Sequence, residues 1–345
     1  MQAVRYHGPH QPLRLEDVPR PAPGPGEVLV RVRAAGLCHT ELHFLSGLLD
    51  LGAAPLTLGH EVVGVVAATG PGVDAARVGE RVILYYYVGC GRCAHCLRGD
   101  ENLCPAPRAE YGFLSDGGFA EYVAVPARNA VPFPAHLSDE EAAPIGCGVT
   151  TALHAGRLAA VGVGDTALVY GVGAVGYGLV QYAALAGATV IAVGRNARKL
   201  ALARELGADH VVDATREDVA GRVREITAGR GADAVFELVA TRATMEQSLR
   251  SVARRGRLVF VGYSEDVLTV HPINLVVTEA RVMGSVGNTL AELYEAVRLV
   301  GEGRIRTVVD CCLDLDRFQE GIDALAAGEL VGRAVLRPPG GNETP

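Results

Sequence analysis

The hydrophobic pattern changes its period near residue 150. Before that point, short Val-rich runs such as EVLVRV, VVGVV, RVIL and EYVAV alternate or stay apolar over strand lengths. Turn signals such as PAPGPGE and GPGVDAARVGE bound them, so residues 1–150 read as a β-rich domain. Beyond it, strand-type and helix-type segments take turns. TALVY (166–170), TVIAV (189–193), HVV (210–212), ADAVFEL (232–238) and GRLVFVG (256–262) predict strands, and VMGSVG (282–287) a sixth. Between them lie a small-residue helix through Leu179, Tyr182 and Leu185, then ARKLALAREL, EDVAGRVREIT and TMEQSLRSV. This alternation predicts a doubly wound parallel sheet over 151–285. A tail, 286–345, offers helix, strand (VVDCCL), helix and a final strand (RAVL), and is expected to return to the first domain. The last residues, PPGGNETP, read as a frayed end.

Composition narrows the function classes. A chain of 345 residues fits two domains. Its net charge is −7 without a basic block, which argues against a nucleic-acid partner. No charge occurs between Asp165 and Arg195, a stretch long enough to span a bilayer. A Gly-rich turn, three tyrosines and a glutamine instead divide it into strand, turn, helix and strand, so no membrane partner is expected. The start, MQAVRYHGPH, has no apolar core of a secretory signal, and a cytoplasmic protein is expected. Clustered cysteines in such a protein point to metal or catalysis rather than disulfides.

Gly171, Gly173 and Gly176 form GxGxxG between a strand and a helix, the context in which this pattern binds a dinucleotide. The first glycine permits the turn, the second lets the backbone approach the pyrophosphate, and the third lets helix and strand pack closely. At the end of the next strand an acid would bind the ribose of NAD. Gly194 stands there, Arg195 follows, and no other carboxylate is expected close by. An arginine can grip a 2′-phosphate with its planar fork, so NADP(H) is favoured over NAD(H), with Arg198 and Lys199 as assisting cations.

Cys90, Cys93, Cys96 and Cys104 give C-x2-C-x2-C-x7-C inside a Gly-rich loop of about 89–105. Four thiolates can close a tetrahedron around structural zinc; an iron–sulfur cluster is the alternative for such spacing. Cys38, His60 and Cys147 remain. A Cys2His set can hold a catalytic zinc with one open position, but spacing alone does not bring these three together. Singly, each reads equally as a packed core residue.

Together these features resemble the zinc-dependent alcohol dehydrogenases of the medium-chain dehydrogenase/reductase family. GEVLVRVRAAGLCHTELH, GHEVVGVV, GCGRCAHCLRGDENLC, the Gly-rich turn and GRAVL carry the likeness over nearly the whole chain. The resemblance implies a GroES-like catalytic domain, a Rossmann domain, and catalytic zinc on Cys38, His60 and Cys147, hence two zinc ions per chain. It implies that Glu61 can approach that zinc, that Thr40 hydrogen-bonds the substrate oxygen, and that His43 ends a proton relay. His39 and Arg333 match positions at the cofactor pyrophosphate, and Thr151 one near the nicotinamide. Leu49 and Tyr86 match positions lining the substrate pocket.

Two departures matter besides Gly194. Glu41 stands where the family has Asp as the partner orienting the zinc-binding histidine. The run Tyr85-Tyr86-Tyr87 is unusual; on one continuous strand Tyr86 would point away from its neighbours. The expected activity is reversible hydride transfer between a primary or secondary alcohol and NAD(P). The alternatives are a polyol-type zinc dehydrogenase, a reductase of an activated double bond, or a non-enzymatic cofactor-binding protein. The family's habit of assembling as dimers or tetramers implies a homo-oligomer, and Cys311 and Cys312 read as packing or interface residues.

Overall fold

Val-rich runs on one side of residue 147 and β–α alternation on the other build two compact units. A computed structural model describes residues 1–339; the expected frayed end lies outside them from residue 340 on. One unit comprises Met1–Cys147, Asn288–Gly303 and the chain from Thr307, the other Gly148–Gly287 with Arg304–Arg306.

In the first unit the long strand Glu27–Gly36 pairs antiparallel with Glu61–Thr69 on one side and with Arg333–Arg337 and Tyr122–Pro126 on the other. These strands, with Arg81–Leu84, Ala130–Pro132 and Val309–Asp314, make a seven-stranded sheet among the described residues. The tail thus supplies two strands, and Val309–Asp314 forms one edge, with Cys311 and Cys312 half-buried on it. The core of this sheet is the Val-rich face read from the sequence, including Val28, Val30, Val32, Val63 and Val82. The sequence reading does not contain the helix His39–Ser46. Its N-cap, Cys38, is not a usual capping residue, yet a reciprocal capping box forms with Glu41.

In the second unit six parallel strands stand in the order His210–Asp213, Thr189–Gly194, Thr166–Tyr170, Ala232–Glu237, Val252–Phe260, Arg281–Gly284. Numbered by sequence that is 3-2-1-4-5-6, the doubly wound order that places a dinucleotide site at the end of its first strand. The helices Ala174–Leu185, Ala197–Glu205, Val219–Ile226 and Arg242–Ser251 link the first five strands. The uncharged stretch resolves into strand, turn, helix and strand. Among the described residues no helix is long and apolar enough to cross a membrane.

The three tyrosines differ from the alternation expected of them. The strand ends at Leu84 and restarts at Tyr87, so strict alternation does not hold there. All three rings are buried and touch, with centroids 4.4 Å apart for Tyr86 and Tyr87 and 5.8 Å for Tyr85 and Tyr87.

Candidate active site

The end of one ladder assembles the site. Gly36 pairs with Glu61 where Glu27–Gly36 meets Glu61–Thr69. Cys38 lies two residues past one strand and His60 one residue before the other, so the antiparallel register sets them side by side. Arg333–Arg337 pairs on the opposite side of the same strand, with Val335 opposite Gly36 and the Leu37 amide donating to the Ala334 carbonyl. That register delivers Arg333 to Cys38. The short helix Ala143–Gly146 packs Gly146 against the Glu61 backbone and presents Cys147.

Cys38, His60, Glu61 and Cys147 are buried, and one ligand atom from each lies within 4.8 Å of the others. Both ring nitrogens of His60 are buried without a hydrogen-bond partner. Nδ1 stands 3.6 Å from Glu41 Oε1, too far for a hydrogen bond. A buried imidazole left unsatisfied among thiols is costly unless something else occupies its lone pair. The Cys38 thiol is held well below its usual value, chiefly by a hydrogen bond from Cys147 and further by Arg333, while Cys147 is pushed up correspondingly. Burial alone would depress His60, but Cys38 and Glu41 outweigh it and raise it to about 10. A thiolate pair, an orphaned imidazole and an adjacent carboxylate fit a divalent cation of zinc's preferences.

Glu41 spans the site. One carboxylate oxygen accepts from the Cys38 amide at 2.7 Å and the other faces His60, so its extra methylene reaches both ligands. Glu61 is fully buried; burial raises its carboxyl to about 7, with Arg333 pulling the other way. Arg333 donates to both Glu61 oxygens, at 2.6 and 3.1 Å, and to Cys38 Sγ at 3.4 Å. The sequence reading expects Arg333 only at the cofactor pyrophosphate and does not contain this pair. Gly36 is part of the same fit, because a Cβ there would strike the Glu61 carboxylate.

Thr40 Oγ1 donates to Cys38 Sγ at 3.5 Å, beside the cluster. His43 follows one turn later, its ring 5.5 Å from that of the exposed His39. Leu49 is half-buried just past this helix. Tyr86 packs edge-on to His60 at 5.3 Å. Phe113, which the sequence does not single out, lies 4.9 Å from His60 and stacks on Tyr86 at 5.6 Å.

The loop thiols form a separate group. Sγ atoms of Cys90 and Cys96, and of Cys93 and Cys104, stand 3.9 Å apart, close to the roughly 3.8 Å edge of a tetrahedron with 2.3 Å zinc–sulfur bonds. Amides of Cys90, Cys93 and Cys96 donate to Cys104, Cys90 and Cys93 sulfurs at 3.3–3.4 Å. A Cβ at Gly89 would meet Cys96 Sγ.

In the second unit Gly171 has φ +107°, and a Cβ on Gly176 would collide with the Gly171 carbonyl. A Cβ on Gly173 would meet nothing within 4 Å, and the helix Ala174–Leu185 begins there without a side-chain cap. Open space over uncapped amides fits a pyrophosphate. Thr151 is buried in the helix Gly148–Leu158. Arg195 is exposed and has no ion pair among the described residues, and Lys199 lies one turn on, in the helix Ala197–Glu205. One expectation needs correcting: a carboxylate does stand beside Gly194. Asp213 is its cross-strand neighbour, a contact across strands that sequence distance hides, and its carboxylate is held by the Thr215 amide and hydroxyl at 2.9 and 2.6 Å.

Residues 24–135 match the alcohol dehydrogenase GroES-like domain family, and residues 174–302 the zinc-binding dehydrogenase family. An alcohol dehydrogenase of Geobacillus stearothermophilus is 37% identical over 329 residues, covering 95% of this chain and 96% of that one. An NAD-dependent alcohol dehydrogenase of Sulfurisphaera tokodaii is 34% identical, covering 98% and 100%. The crystal structure of the alcohol dehydrogenase from Aeropyrum pernix superposes with TM-score 0.91 at 36% identity, covering 98% and 100%. The chain therefore belongs to the zinc-type alcohol dehydrogenases of the medium-chain dehydrogenase/reductase family, oxidoreductases that join a GroES-like domain to a Rossmann sheet.

Proposed function

We propose that this alcohol dehydrogenase interconverts a primary or secondary alcohol and its aldehyde or ketone using NADP(H), with zinc on Cys38, His60 and Cys147 and a second zinc on the four loop cysteines. The carrying observation is the convergence of three distant ligands, one of them an imidazole whose ring nitrogens have no hydrogen-bond partner. Zinc bound there supplies a Lewis acid that lowers the pKa of an alcohol hydroxyl. The chain's own residues do the rest. Thr40 accepts the hydroxyl proton, and His43 passes it outward. Glu41 holds the Cys38 backbone amide and turns its other carboxylate oxygen towards the His60 ring. Gly173 and the uncapped helix start hold the pyrophosphate, with Thr151 assigned to the nicotinamide by family likeness. Leu49 and Tyr86 line the alcohol site. Metal analysis with an alcohol panel tests the reading: about two zinc per chain and alcohol oxidation are expected. Polyol-only activity, or double-bond reduction without zinc, would overturn it.

The NADP(H) preference rests on Gly194 and the exposed Arg195, which has no ion pair among the described residues; the Asp213 carboxylate beside Gly194 and the relative named NAD-dependent point the other way. A higher kcat/KM with NADH than with NADPH would refute it. We also propose a cytoplasmic location, where thiols stay reduced and clustered cysteines serve metals; all eight cysteines here are free. We also propose a homo-oligomer, dimer or tetramer. The open edge strand Arg281–Gly284 and its surroundings expose Ile273, Val276, Val277 and Val286, and an apolar sheet edge invites a second copy. A monomer by light scattering would end that proposal.

A further inference from the structure

Gly194 has its side-chain space filled by neighbours. A Cβ there would stand 2.8 Å from Val172 Cγ2, in the Gly-rich turn, and 3.3 Å from Leu200 Cδ2. An acid cannot take the usual ribose-binding position without moving that turn. The next strand supplies one instead. Asp213 pairs in register with Gly194, so their Cα atoms lie about 4.8 Å apart and their side chains share a face. The Ala214 amide donates to the Gly194 carbonyl at 2.9 Å, and the Gly171 amide to the Val193 carbonyl at 3.0 Å. These bonds fasten three strand ends and the Gly-rich turn into one rim.

The Asp213 carboxylate overhangs that rim. Its Oδ1 accepts from the Thr215 amide and hydroxyl, two residues past the strand end, at 2.9 and 2.6 Å. The Thr215 hydroxyl and amide hold its carboxyl below the usual range, so it is charged at neutral pH. Oδ2 is left to solvent and to Arg216, whose Nε stands 3.6 Å away on a highly exposed side chain. Glu217, the other acid of this turn, is taken by the Asp213 amide and Arg222. In a doubly wound sheet the ligand lies outside these strand ends, with the adenosine ribose beside the residue that Gly194 replaces. A fixed negative charge one strand over therefore confronts whatever that ribose carries at its 2′ carbon.

We propose that Asp213 is a specificity-determining residue for the cofactor, set against Arg195: it favours a 2′-hydroxyl and repels a 2′-phosphate. The inference rests on the reading of the Gly-rich turn as a dinucleotide site, whichever dinucleotide the enzyme prefers. A 2′-phosphate brings roughly two negative charges to a rim that already holds one. Specificity is a difference of affinities, and repulsion of one ligand contributes to it as attraction of the other does. Two side chains of opposite sign, Arg195 and Asp213, then set the ratio between them.

The test measures dissociation constants of NADPH and NADH by fluorescence titration, and kcat/KM for both on the zinc-loaded enzyme. Asp213→Asn keeps the side-chain oxygen that Thr215 holds and removes only the charge. Binding is expected to shift about tenfold towards NADPH, the effect of one like charge at a partly screened rim, with kcat/KM moving in the same sense. The shift should shrink at about 1 M salt, where screening acts within about 3 Å; a packing role would not respond to salt. Arg195→Ala should move the ratio the opposite way. Melting temperature establishes that each variant is folded. An unchanged ratio in Asp213→Asn, or both cofactors weakened by the same factor, overturns the proposal. A wild type that prefers NADH, with the ratio still raised in Asp213→Asn, supports Asp213 and removes the NADP(H) preference. A wild type that binds neither dinucleotide overturns both.

Discussion

Two sets of cysteines sit in the same unit and are built in opposite ways. The loop set gathers four sulfurs within 15 residues, half-exposed, with backbone amides donating to them. The other set draws Cys38, His60 and Cys147 from across more than a hundred residues, buries them, and surrounds them with Glu41, Glu61 and Arg333. A closed set of four thiolates needs only a loop that can wrap. A site with an open position needs charge and orientation supplied from outside the ligands.

The sharpest way to break the comparison is to remove one ligand from each set. Cys38→Ser or His60→Ala should lower kcat by about a thousandfold, the several kcal/mol a Lewis acid supplies, while cofactor binding by fluorescence titration is kept. Full turnover at measured zinc occupancy would contradict the assignment. Cys96→Ser should instead show itself in stability. One zinc equivalent is lost and the melting temperature falls by about 10 °C, with activity per folded molecule changed far less. Equal activity losses in both variants would erase the distinction.

Glu41→Gln probes the surroundings rather than the ligands. Metal affinity at the buried site should drop about 10–100-fold by competition with a chelator, and the loop site should not respond. Glu41→Asp tests whether the longer side chain matters: reach to both Cys38 and His60 predicts weaker metal retention in the shorter residue.

The smallest effect is in pH dependence. Burial, with the charge of His39, depresses His43 below its ordinary 6.5, so it stays neutral and able to take a proton through the neutral range. If it ends the relay, alcohol oxidation should decline only when pH falls below that ordinary value and His43 becomes charged. His43→Gln should flatten this acid limb; an unchanged limb would take His43 out of the path.

How much of this was legible in the chain follows from the same contrast. Local signals were readable. The β–α alternation predicted every Rossmann strand to within a few residues, and the thiol spacing marked its loop. Relations made by sheet register were not. Nothing near Arg333 announces Glu61, because their meeting depends on two strands flanking a third. Asp213 lies beside Gly194 for the same reason. The helix at Cys38 went unseen because a cysteine caps it.

Gly36 carries a consequence for anyone altering this enzyme. Its side-chain space is taken by the Glu61 carboxylate, so even alanine must displace a charge that Arg333 holds in place. A position with no functional group of its own is therefore among the least mutable near the centre. A library that varies pocket residues and treats glycines as neutral background would lose active clones there first, and the losses would be misread as misfolding.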